Sequence, residues 1–221
     1  MLRFWYPGAE RRIDSLEQLR EALDLLLLKY DVQFVGPVGR RYLAEYMVAR
    51  PVAVFALACH YQWEASARQA ARECLKLSHE ELIDNDAAVF LGLIFADIYQ
   101  SLLLYHKQCG EAAASADNDA VSGPPAFSWE TCKQCHITPG SGRKQWISDF
   151  VVKLAEKLKD RPILALADVT LLAAPMQYIA NCRGNCRLAG YNELPLLFGF
   201  SLPHSLTSAL DKVELKLNFK D

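Results

Sequence analysis

Ser15-Leu16-Glu17-Gln18-Leu19-Arg20-Glu21-Ala22-Leu23-Asp24-Leu25-Leu26-Leu27-Leu28-Lys29-Tyr30-Asp31-Val32 is the stretch that decides the fold class. Ser15 with Gln18 three residues later is the sequence form of a capping box, which satisfies backbone N–H groups that a helix start leaves without partners. Leu16, Leu19, Leu23, Leu26, Leu27 and Tyr30 then recur at the spacing of one helical face. Beyond the short link Asp31 to Gln33, Phe34, Val38, Tyr42 and Tyr46 form a second stripe, with Pro37 compatible only with that helix's first turn. So short a link makes the two helices neighbours, and their stripes are expected to face each other.

The helical period continues outward. Pro51 starts a helix with Val52, Phe55, Ala56 and Cys59 inward, and Trp63, Ala67, Ala70, Cys74 and Leu75 line the next. Ser78 and Glu81 make a second capping box ahead of Leu82 and Ile83. Asp97 caps a helix carrying Ile98, Leu102, Tyr105 and Cys109. From Glu111 to Pro125 small polar residues replace the apolar period, which reads as a helix fraying into a linker. Trp146, Phe150, Leu154 and Leu158 then mark an amphipathic helix that stops before Arg161-Pro162. A mostly apolar helix begins at Asp168 and is interrupted at Pro175 on its way to Cys182. In the tail, Leu206, Leu210, Val213 and Leu217 fit a helix, while Val213, Leu215, Leu217 and Phe219 alternate like a strand; the helix is the favoured reading.

Composition narrows the function classes. The chain has 221 residues, is 52% hydrophobic and carries a formal net charge of −2, enough apolar material for a core and too little clustered cation for a nucleic-acid surface. Ala87 to Ala96 is too short for a membrane span and runs into Asp97. Pro162 to Ala180 contains Asp168, Thr170, Pro175 and Gln177, so a buried helix pair is expected there and no membrane association. No signal peptide is visible, which points to an intracellular, cytoplasmic or nuclear protein.

Leu2-Arg3-Phe4-Trp5-Tyr6-Pro7-Gly8, the Leu-rich helix, Lys29-Tyr30-Asp31-Val32 and the helix reaching Met47 resemble, in this order, the C-terminal end of a BTB/POZ domain. The resemblance continues through Pro51 to Cys59, Ala67 to Leu77, Tyr105 to Glu111 and Lys212 to Leu217, where the chain is similar to fungal BTB-domain proteins. It implies an all-α chain of four parts. These are a BTB remnant at 1–48, BACK-like stacked helices at 49–111, a linker at 112–127, and a C-terminal helical region with cysteine pairs at 128–221. It also implies that other proteins are the partners. A complete BTB domain has an upstream β-sheet and dimer-forming helix that this sequence does not contain, so homodimerisation through that element is not expected. The Leu2 to Tyr6 segment would be either the docking edge for that half or a partner surface.

Cysteine carries the chemical content. Cys132-Lys133-Gln134-Cys135 and Cys182-Arg183-Gly184-Asn185-Cys186 are two close pairs in a chain with seven Cys. Each pair can clamp one edge of a tetrahedral metal, and four thiolates around Zn²⁺ would form a closed structural site without a catalytic position. Uncommitted thiols and disulfides are the competing readings, with disulfides disfavoured inside a cell. His136 beside the first pair, and His106 with Cys109 on one helix, are secondary ligand candidates. Cys132 to His136 also spells the c-type haem signature, which lacks an export context here, and no βαβ pattern supports a thioredoxin role. Pro139 to Lys144 lacks the ending and preceding strand of a phosphate loop. The expectation is a non-catalytic interaction scaffold or adaptor, with a structural zinc on Cys132, Cys135, Cys182 and Cys186 as one of the open readings of the pairs and no other cofactor. A zinc- or thiol-dependent enzyme is the alternative.

Overall fold

The computed structural model describes residues 13–32, 34–83, 86–122, 145–163, 169–184, 187, 192, 194–217 and 219. The chain is all-α: every regular element among the described residues is helical, and none is a strand. It divides into two compact units, Met1–Cys74 with Glu81–Leu102 and Leu217–Asp221, and Leu75–Glu80 with Leu103–Lys216.

In the first unit, α1 (Leu16–Leu23) starts where the capping residues placed it. The Ser15 hydroxyl accepts the Gln18 N–H at 3.3 Å. The return bond is displaced by one residue, because Gln18 Oε1 accepts the N–H of Asp14 at 3.4 Å. Leu16, Leu19 and Leu23 are buried, but α1 then widens into a π-helical turn, Asp24–Lys29, with no buried residue. A π-turn holds more residues per revolution than an α-turn, so the stripe loses phase. Tyr30, expected inward, is 60% exposed. The turn closes with Val32 N–H donating to the Leu26 carbonyl at 2.8 Å around Asp31, whose φ of 52° is left-handed.

The second stripe is a correction. Helix α2 (Val35–Glu45) buries Val35, Gly36, Gly39 and Leu43, with Met47 beyond it, while Phe34 and Val38 are exposed. The inward face is thus one residue out of phase with the aromatics. Gly39 is the cause: a Cβ there would lie 2.7 Å from Leu23 Cδ2 and 2.8 Å from Trp63 Cη2, inside normal contact. Packing α2 against α1 at that distance requires hydrogen at this position, and the larger side chains are displaced to the outside.

Helix α3 (Pro51–His60) has proline at its first position and is buried on every side from Pro51 to Cys59. It packs against α4 (Glu64–Cys74) and α6 (Ala88–Leu91). Ala67, Ala70, Ala71 and Cys74 form the inward face of α4. Each fully buried Val, Leu or Phe of α3 contributes roughly 1.5–3 kcal/mol, which makes this helix the axis of the unit. Trp63 N–H donates to the Ala58 carbonyl at 2.8 Å, and Gln62 between them has a φ of 56°, the left-handed helix end usually given to glycine. Helix α5 (His79–Ile83) begins after Ser78 as expected.

Helix α7 (Ala96–Ser122) carries Ile98, Leu102, Tyr105 and Cys109, all buried. Asp97 lies inside its first turn and accepts the Ile98 N–H at 3.1 Å. The composition break at Glu111 does not end the helix. Ala113, Ala114 and Ala116 are buried, and alanine both favours helix and fits a close interface. In the second unit α8 (Gln145–Asp160) stops before Arg161, and Phe150, Val151, Leu154 and Leu158 join Leu171, Ile179, Leu194, Leu197, Leu202 and Leu206 in one core. Pro175 does not interrupt α9 (Val169–Asn181): it is buried within the helix. A π-helical turn, Leu197–Ser201, leads into α10 (Leu202–Leu210). The favoured helical tail ends there. Residues 213–217 have no regular structure, and Leu215 is buried between exposed Glu214 and Lys216, the alternation of an extended chain.

Candidate interaction surface

The π-turn is anchored at its first residue. Tyr61 at the end of α3 donates its hydroxyl to Asp24 Oδ1 at 2.7 Å and also reaches the Arg20 carbonyl at 3.3 Å. His60 Nε2 lies 3.5 Å and Arg20 Nε 3.6 Å from the same carboxylate. Burial, reinforced by Asp24, pushes the Tyr61 pKa up, so the phenol stays a donor. Trp63 packs on Tyr61 at 5.0 Å, and the Arg40 guanidinium sits 5.6 Å over Trp63. Three groups converge on one carboxylate, and this fixes Asp24 at the point where the helix widens.

Downstream of that anchor the apolar side chains turn outward. Leu28 is 61%, Tyr30 60%, Phe34 61% and Val38 44% exposed. All four lie at the corner where the π-turn passes into α2, with Phe34 and Val38 one turn apart on the same helix face. Lys29 Nζ stands 5.7 Å over the Tyr30 ring, and Arg41 5.9 Å over Tyr42. Exposed apolar residues accompanied by cations and aromatics match the composition of protein-binding patches more closely than that of a catalytic cleft. Periodicity alone missed this exposure because it assigned Tyr30, Phe34 and Val38 inward. Gly39 within α2 was the available signal for a close-packed face elsewhere.

A second polar hub ties the base of the unit. Arg50 makes a 2.9 Å ion pair with Glu17 Oε1 and places its Nε 2.9 Å from Asp86 Oδ2, off the hydrogen-bond direction. Its guanidinium lies 5.3 Å over the Phe90 ring. Hydrogen bonding by Arg50, more than any other cause, holds the Glu17 carboxyl below its usual range.

Of the predicted zinc ligands, Cys132, Cys135 and Cys186 lie outside the described residues, as do His136 and the Leu2 to Tyr6 segment. Cys182 is described: it is half-buried, and its Sγ accepts the Gly184 N–H at 3.3 Å. The described residues hold no group of three metal-ligating side chains. Cys59, Cys74 and Cys109 are buried thiols. Burial pushes Cys59 up to about 12 and raises Cys74 as well, so both stay protonated and unreactive at neutral pH. His106 is buried in α7 with Cys109, and its Nε2 sits 3.0 Å from the Leu77 carbonyl. No described helix is long and apolar enough to cross a membrane.

No family model, curated protein or solved structure matches this chain.

Proposed function

We propose that the protein is a non-catalytic, intracellular helical scaffold for protein–protein interaction, and that its first unit is the recognition module. The observation that carries this reading is the exposure of Leu28, Tyr30, Phe34 and Val38 around a π-turn whose first residue is held by Tyr61. The sequence resemblance to BTB-domain proteins supports the same class. It adds two finer roles, a substrate adaptor of a ubiquitin ligase or a transcriptional cofactor.

A structural Zn²⁺ on Cys132, Cys135, Cys182 and Cys186 is proposed with it. Its support is the spacing of the two pairs, together with the Gly184 N–H donated to Cys182 Sγ. Metal analysis of purified protein and of the four single Cys→Ser variants tests this. One zinc per chain, lost in every variant, is the expected result. Zinc retained on three ligands, together with substrate turnover, would favour the zinc- or thiol-dependent enzyme instead.

The scaffold reading is tested by placing a photo-crosslinking amino acid at Tyr30 and, separately, at Val38 of the full chain in its native cell. Both positions should trap the same protein, and Val152 on α8, 57% exposed, should not trap it. Crosslinks indistinguishable among the three sites would reject the surface.

A further inference from the structure

Among the described residues only Ser78 and His106 are buried polar side chains, and His106 is 1% exposed. Its hydrogen-bond partner Leu77 and its ring neighbour His79 both belong to the second unit. The Leu77 carbonyl, 3.0 Å from His106 Nε2, can only accept, so Nε2 carries the proton and Nδ1 is the site left for a second one. The His79 ring lies 6.3 Å away, centroid to centroid. Asp160, at the end of α8, accepts the His79 N–H at 3.1 Å, and Ile163 N–H donates to the Leu75 carbonyl at 3.0 Å. Gly110, one turn along α7 from His106, touches the Lys159 backbone; a Cβ there would sit 2.5 Å from the Lys159 carbonyl oxygen. Hydrogen bonds therefore tie the Leu75–Glu80 segment to α7 and to the end of α8 and the residues after it.

We propose that His106 is an acid-sensitive latch: the neutral imidazole ties the Leu75–Glu80 segment to α7, and protonation in mildly acidic solution releases it. A second proton would place a cation where water does not reach; the Leu77 carbonyl and Asp160 favour that cation, and the cost of burying it, the largest effect, works against it together with the His79 charge. The titratable groups facing it from the neighbouring elements are His79 on α5 and Asp160 on α8, whose carboxylate also accepts the His79 backbone N–H. Burial, more than the His79 charge, places His106 below the ordinary histidine value of 6.5. A histidine whose folded pKa is depressed contributes stability above its unfolded value. That contribution is lost as pH falls from there through the folded value.

Hydrogen exchange of the full chain tests the latch at the His79 and Ile163 amides, with the Val54 amide of α3 as reference. After correction for intrinsic exchange, protection at His79 and Ile163 should fall measurably between about pH 7.5 and about pH 5, while Val54 is unchanged. In His106→Gln, whose amide can still donate to Leu77 but does not titrate, protection should not depend on pH. If that variant does not fold, His79→Gln decides: removing the neighbouring charge should move the release to higher pH. Constant protection in the wild type, an equal loss in His106→Gln, or an unmoved midpoint in His79→Gln would each overturn the proposal.

Discussion

Gly39 and Gly110 each set a helix separation that no other residue allows. Gly39→Ala drives a methyl group into Leu23 and the rigid Trp63 ring, so a loss of about 1–3 kcal/mol is expected despite alanine's better helix propensity. Gly110→Ala meets backbone that cannot rotate away and should cost more. Gly36→Ala is the control, since its Cβ would meet only Arg40 Nη1 at 3.7 Å, and it should be neutral or slightly stabilising. Denaturant midpoints of the three variants rank the sites directly. The left-handed helix end at Gln62 predicts the opposite sign: Gln62→Gly should stabilise by roughly 0.5–1 kcal/mol. Arg50→Ala loses the Glu17 and Asp86 pairs and the packing over Phe90, about 1–2 kcal/mol together, given that exposed ion pairs count for little. Because Arg50 lowers the Glu17 pKa, the wild type should lose this contribution as pH falls below the ordinary carboxylate range. The acid limb of its stability curve should flatten in Glu17→Gln.

At the scale of the helix, residues with strong periodicity were legible and residues ruled by a close approach were not. The start of α1, proline-led α3, the inward faces of α4 and α7, and the stop of α8 follow from caps and spacing. The phase of α2 did not, because a periodicity count gives weight to Phe34 and Tyr42 and none to Gly39. Tyr30 left its stripe because a π-turn adds residues to a revolution, which the 3.6-residue template does not contain. The end of α7 was placed too early because a run of alanine and small polar residues resembles a linker, whereas Ala113 and Ala116 are buried in the second core. The cysteine pairs were fully visible in sequence, yet spatial convergence is not a property of spacing. A paired substitution separates the two faces of the first hairpin. Leu16→Ala should cost about 2–5 kcal/mol, and Leu28→Asp should change stability by less than about 0.5 kcal/mol in thermal unfolding.

The chain as a whole has two cores with different logic. The first is organised around one helix buried on all sides, and the second around leucine faces of α8, α9 and α10. In the first, small residues are consumed at helix contacts and large apolar side chains are left outside, a distribution that helix packing within the unit does not require. Protein recognition is the use we propose for it. The deciding measurement is the dissociation constant for the protein trapped at Tyr30 and Val38, compared among wild type, Leu28→Asp/Val38→Asp and Val152→Asp. The account predicts at least about tenfold weaker binding for the double variant, with its thermal midpoint unchanged and Val152→Asp binding as wild type. Undiminished binding by a folded Leu28→Asp/Val38→Asp protein would contradict it.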